Sequence, residues 1–176
     1  MILSLDQSLT CTGYVLLSSN RTPLKFGTIR TDPFRGKQRN VHVGADDARR
    51  CALLCAELKH VLRTNEVRLV AAELPGGSLS ARAAKALGLA QGTVVATCRA
   101  LDYPLVWVTA LDAKDALAET RKAEKDQMVQ AATPHLPSEF LKRNKADREA
   151  IADALGVGFA AFSTETAMML LHGYPK

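Results

Sequence analysis

The alternation of apolar and polar residues changes period along the chain, and each change marks an element. Ile2-Leu3-Ser4-Leu5 is a short apolar run closed by Asp6, which predicts a first strand. Gly13 to Leu17 predicts a second and Leu24 to Arg30 a third, with Asn20-Arg21-Thr22-Pro23 as the turn between them. Connections this short make an antiparallel meander. Residues 32–44 are polar and read as a loop leading into a helix. From Ala45 to Thr64, the residues Ala48, Cys51, Ala52, Cys55, Leu58 and Leu62 recur at helical spacing. Val67 to Glu73 is largely apolar, as in a strand buried on both faces, and Pro75-Gly76-Gly77 ends it. An alanine-rich helix from Ser80 to Leu101 carries Gly88 and Gly92 one turn apart, and Tyr103 to Val108 predicts a fifth strand. A polar helical stretch runs from Leu111 to Ala132, broken near Thr120-Arg121 and closed by Pro134 and Pro137. Ala146 to Leu171 reads as one last helix. The order β-β-β-α-β-α-β-α-α predicts an α/β fold: a mixed five-stranded sheet, antiparallel strands first and parallel strands after, with helices on both faces.

Composition narrows this picture. The chain has 176 residues, with no linker or repeat dividing it, so a single domain over 1–176 is expected. A hydrophobic fraction of 47% against 23% charged excludes wholesale disorder. No apolar run reaches the ~18–20 residues of a membrane span. The first residues lack the basic start of a signal peptide. A protein that is not secreted is therefore expected, working in the cytoplasm with the nucleoid, or as a viral protein in a host cytoplasm. Cys11, Cys51, Cys55 and Cys98 form no CxxC pair, which suits a reducing compartment. The net charge of +5, from 23 Lys+Arg against 18 Asp+Glu, favours a polyanionic partner without singling one out.

The informative residues are acids in apolar surroundings. Asp6 ends the first strand, Glu73 ends the buried fourth, and Asp153 sits inside Ile151-Ala152-Asp153-Ala154-Leu155. Each has a plainer reading: a turn or cap for Asp6, a strand-end ion pair for Glu73, an exposed helix position for Asp153. Taken together they converge if the first and fourth strands are neighbours and the last helix crosses the sheet end. Like charges held together call for a cation. Hard oxygen ligands suit magnesium or manganese, the metals of phosphodiester hydrolysis.

Four segments, in order, carry a resemblance to the RuvC-like Holliday-junction resolvases of the ribonuclease H-like nucleases. Ile2-Leu3-Ser4-Leu5-Asp6-Gln7-Ser8-Leu9-Thr10-Cys11-Thr12-Gly13-Tyr14 resembles the family's first strand and return. Val70-Ala71-Ala72-Glu73 resembles the strand that brings in a glutamate. Leu87-Gly88-Leu89-Ala90-Gln91-Gly92 onward to Ala123-Glu124-Lys125-Asp126-Gln127-Met128-Val129 resembles the middle of the family. Ala152-Asp153-Ala154-Leu155-Gly156 is similar to its last acidic helix. The match spans most of the chain and is loose over residues 32–66.

The resemblance implies a metal-dependent, structure-selective endonuclease that resolves four-way or other branched double-stranded DNA by paired nicks as a homodimer. It implies two Mg2+ or Mn2+ ions per site, held by Asp6, Glu73 and Asp153. The chain departs from the family in two places. The fourth acid, three residues before the last aspartate, is Ala150 here; Glu149 lies on nearly the same helix face and is the expected substitute, whereas Asp147 faces elsewhere on a regular helix. The loop after Glu73 lacks the aromatic that wedges into an opened junction. Lys114 and Lys125 match basic positions near the scissile phosphates. Arg121, Lys122, Arg82, Lys85, Arg143 and Lys145 are further DNA-binding candidates, with solvated helix faces as the alternative; Arg35, Lys37 and Arg39 either grip a DNA arm or keep a loop solvated.

Two other readings compete. One is a catalytically weak or inactive branched-DNA-binding module of the same fold, with Ala150 as the missing ligand. The other is an actin- or sugar-kinase-type phosphotransferase, which needs a second lobe that 176 residues do not supply.

Overall fold

The computed structural model describes residues 1–34, 42–74, 76–77 and 80–172; the basic loop with Arg35, Lys37 and Arg39 lies outside them. Five strands form one sheet in the order β3-β2-β1-β4-β5. They are β1 (Ile2–Asp6), β2 (Cys11–Leu17), β3 (Pro23–Arg30), β4 (Leu69–Leu74) and β5 (Leu105–Thr109). β1, β2 and β3 form the antiparallel meander, while β4 joins β1, and β5 joins β4, in parallel. The helices are α1 (Val43–Thr64), α2 (Ala81–Ala100), α3 (Ala110–Ala118), α4 (Lys125–Ala132), α5 (Lys145–Ala161) and α6 (Glu165–His172). The expected mixed sheet, with helices on both faces, is the observed one.

Side-chain alternation along the strands decides which face each residue serves. Leu3, Leu5, Val70 and Ala72 pack with Leu54, Leu58, Leu62 and Val94 of α1 and α2. Ile2, Leu69 and Ala71 point the other way, into a core with Met128, Phe140, Ile151 and Leu155. The same alternation carries Asp6 and Glu73 onto that second face, under α5.

Helix α5 lies unusually close to the sheet. A Cβ placed on Gly13 of β2 would stand 2.1 Å from the carbonyl oxygen of Ala150. One on Gly158 would meet Leu17 Cδ1 at 2.2 Å and Ser4 Oγ at 2.8 Å. Glycine at both positions lets the helix backbone approach the strands directly, and that approach fixes the height of Asp153 above the sheet.

The last helix is shorter than its apolar pattern suggests. α5 ends at Ala161, and α6 leaves it at an angle of 79°. Thr164 makes the break: its hydroxyl donates to the carbonyl of Ala161 (2.7 Å) and accepts from the N–H of Ala167 (3.2 Å), capping α6. Among the described residues no single helix is long and apolar enough to cross a membrane; only the bent α5–α6 pair passes by length and composition, and α5 is buried in the core.

Candidate active site

The parallel pairing of β1 with β4 sets Leu5 opposite Ala72, so the next residues, Asp6 and Glu73, leave the sheet side by side. Asp6 also pairs with Gly13 on its other flank. Ala150 sits over Gly13, and one turn further along α5 the helix delivers Asp153. Asp153 interrupts a stretch of α5 whose neighbours Ala152, Ala154 and Leu155 are fully buried.

The electrostatics register this convergence. Burial pushes the carboxyl of Asp6 well above its ordinary range, and the negative charges of Asp153 and Glu73 push it further; Lys125 opposes them. Glu73 is raised to about 6, by burial first and then by Asp153, with Lys114 opposing. Asp153 is raised by burial, with Lys125 and Lys114 pulling it down and Glu149 pushing it up. Three carboxylates thus share one unfavourable field, moderated by two lysines. Among the described residues, no three carboxylate, imidazole or thiol groups stand close enough to form a ready-made cage. The donor set is nonetheless all hard oxygen in a negative field, which suits a small divalent cation.

Two cavities meet at these acids. One, of about 260 Å3, is lined by Glu73, Lys114, Lys125, Asp153 and Met128. The other, of about 180 Å3, lies on the far side of the strand ends, between Asp6, Gln7, Ser8, Glu73 and the Gly76-Gly77 backbone. Glu73 borders both. A larger cavity, of about 400 Å3, opens elsewhere, between Trp107, Asp112, Asp115 and Thr164, and touches none of these carboxylates.

The two candidates for the fourth acid separate clearly. Glu149 stands at the rim, accepting from Lys125 Nζ at 2.9 Å with Lys145 Nζ at 3.8 Å. Asp147 is committed to the fold. It is buried, takes an ion pair from Arg30, and accepts from Thr28 (3.3 Å), Arg30 Nε (3.1 Å) and Asn144 Nδ2 (2.8 Å). Its own N–H caps onto Asn144 Oδ1 at 3.0 Å. Asp147 therefore ties the first turn of α5 to β3.

Of the basic residues, Lys114 and Lys125 stand among the carboxylates. The others spread around them. Lys145 reaches Asp126 at 3.6 Å, and Arg121 pairs with Asp112 at 2.9 Å. Lys85 pairs with Asp47 at 2.6 Å, bridging α2 to α1. Arg82, Lys122 and Arg143 are exposed. In the loop after Glu73, Pro75 and Ser78 lie outside the described residues.

Sequence reasoning missed Gln7. It is buried, its amide Nε2 donates to the backbone carbonyl of Glu73, and its Oε1 has no hydrogen-bond partner among the described residues. Only the placement of a polar residue directly after Asp6 hinted at it.

Comparison with known proteins agrees with this architecture. No family model matches the chain. It is similar to the crossover junction endodeoxyribonuclease RuvC of Shewanella woodyi, 28% identical over 178 residues, covering 98% of this chain and 92% of that one. It is also similar to the protein of the same name from Polynucleobacter necessarius, 28% identical over 162 residues, covering 90% and 86%. Its fold superposes on Thermus thermophilus RuvC solved with a Holliday junction substrate, with a TM-score of 0.67 and 21% identity over 91% of this chain and 93% of that one. The strand order and this superposition give the chain a ribonuclease H-like fold. Within that class the chain is similar in sequence to proteins named RuvC, at 26–28% identity, and it shares their fold.

Proposed function

We propose that this chain is a metal-dependent endonuclease that hydrolyses phosphodiester bonds in branched double-stranded DNA. The observation that carries the reading is the shared field of Asp6, Glu73 and Asp153 at one end of the sheet, with Lys114 and Lys125 lining the adjoining cavity. Those three carboxylates would hold Mg2+ or Mn2+, two ions per site, with Glu149 at the rim as a fourth acid. Bound there, the ions would acidify a water and stabilise the departing 3′-oxygen. Lys114 and Lys125 hold the non-bridging oxygens of the scissile phosphate. For Lys125 this means exchanging its bond to Glu149 for one to the phosphate. Lys122, Arg82 and Arg143 neutralise flanking phosphates, and Lys85, Arg121 and Lys145 do so by exchanging their ion pairs with Asp47, Asp112 and Asp126, which supplies affinity and register without base readout. The relatives' names support a crossover junction as the substrate; paired nicks from the two sites of a homodimer are what the family resemblance implies.

Replacing Asp6 with alanine tests the reading. Cutting of a synthetic junction in Mg2+ should fall to background, while binding survives or tightens because a negative charge near phosphates is gone. Unchanged cutting would refute it.

Two observations favour a second reading, a branched-DNA-binding module without cutting activity. Alanine occupies position 150, and Glu149 is already satisfied by Lys125. Wild-type protein that binds the junction yet cuts in neither Mg2+ nor Mn2+ would establish that reading.

A further inference from the structure

We propose that Gln7 is a neutral oxygen donor of the metal site and compensates for the acid missing at position 150. The inference rests on the metal-dependent reading above. Gln7 follows Asp6 at the turn out of β1, and only 4% of its surface is exposed. Its Nε2 donates to the backbone carbonyl of Glu73, which pins the amide plane between the two strand ends. Its Oε1 is buried and unpartnered among the described residues. A buried acceptor left without a donor is uncommon in a folded protein and calls for an explanation.

The surroundings indicate which ligand would satisfy it. Gln7 lines the same cavity as Asp6 and Glu73, with Ser8, Leu87 and the Gly76-Gly77 backbone beside it. These side-chain amide and carboxylate oxygens are acceptors, and Asp6 and Glu73 are largely withdrawn from water with the negative charge of Asp153 nearby. An anion or a carbonyl-rich group is disfavoured there. A divalent cation, or the water it carries, fits an arrangement of one amide oxygen and two carboxylates, which are common ligand types for hard ions. Ala150 lies on the other flank of Asp6, against Gly13. The oxygen lost with the acid at 150 is therefore supplied from the opposite side of the same aspartate, and as a neutral donor it adds no further negative charge beside the three carboxylates.

Manganese titration by calorimetry, on the full chain without DNA, tests this directly. Gln7→Met keeps the length and removes the oxygen; Gln7→Glu keeps an oxygen in place but can no longer donate to the carbonyl of Glu73. The expected result is Mn2+ binding weakened about ten-fold or more in Gln7→Met, and binding at least as tight as wild type in Gln7→Glu. If Gln7 only ties the strand ends together, both variants lose binding and melting temperature alike, and the proposal is overturned. Wild-type affinity in Gln7→Met also overturns it while leaving the metal-dependent reading intact. Absence of Mn2+ binding by the wild type would remove that reading, and the inference with it.

Discussion

The close seat of α5 on the sheet can be perturbed with a single methyl group. Gly13→Ala would place a Cβ 2.1 Å from the Ala150 carbonyl oxygen and 2.4 Å from its carbon. Even close C···O contacts stay near ~3.3 Å, so the helix or strand must give way by roughly 1 Å. The neighbour is backbone, with no flexible side chain to swing aside. Away from such a contact, the change would help: replacing a strand glycine with alanine is worth about 0.5–1 kcal/mol. Overpacking costs about 1–3 kcal/mol, and against rigid backbone the upper part of that range, about 2–3, applies; less a gain of about 1, the net effect is a loss of about 1–2 kcal/mol. At about 2–4 °C per kcal/mol for a chain of this size, the melting temperature should fall by about 2–8 °C. Activity should suffer more, because α5 carries Asp153: a displacement near 1 Å at a catalytic group can cost ~10²-fold in rate. The assay pairs calorimetric melting with junction cleavage at saturating DNA. Gly92→Ala serves as the opposite-sign control, since nothing lies within 4 Å of its added Cβ and a helix interior favours alanine. A Gly13→Ala protein that melts at or above the wild-type temperature and cuts within two-fold of its rate would refute the argument.

Other outcomes follow from the same geometry. Asp147→Ala should lower stability by about 2 kcal/mol, a value discounted for the partial exposure of Arg30, yet leave Mn2+ affinity unchanged in calorimetry; weakened Mn2+ binding would make Asp147 a ligand. Lys125→Met removes the cation that pulls down both Asp6 and Asp153, so both carboxyls should titrate higher by NMR, and cleavage should fall by about 10²–10³-fold. In metal-free protein, Glu73 is raised from 4.5 to about 6, and Asp6 and Asp153 are raised as well. The folded chain therefore binds more protons than the unfolded one across that window, and these groups make stability fall as pH rises through it. Glu73 alone contributes about 2 kcal/mol to that fall. Added Mg2+ should accordingly raise the melting temperature more at neutral pH than near about pH 5; an equal or larger gain in acid would contradict the shared field.

Most of the architecture could be read from the chain because strand alternation and helix period are local signals. Asp6, Glu73 and Asp153 stood out because each interrupts an apolar element, and burial makes such an interruption costly. The break between α5 and α6 was hidden by unbroken apolar periodicity; the signal lay in Ser163-Thr164-Glu165, a capping sequence outweighed by its neighbours. The seat of α5 was hidden as well, because Gly13 looks like any strand glycine until Ala150, far along the chain, packs on it. The Arg30–Asp147 tie and the orphaned Oε1 of Gln7 share that reason. Each depends on residues brought together only by the fold, and neither residue type nor spacing announces them. Lys85 and Arg121 looked free in sequence, yet acidic partners on a neighbouring helix or turn engage them.

In the proposed function, three carboxylates at the sheet end cut branched DNA with a divalent metal. The most direct measurement is mapped cleavage of a synthetic four-way junction by wild type and Asp6→Ala, with and without Mg2+. Symmetric paired nicks that require both Mg2+ and Asp6 are expected, with junction binding retained in the variant. Equal cutting by Asp6→Ala, or cutting by the wild type in the absence of any divalent ion, would contradict it.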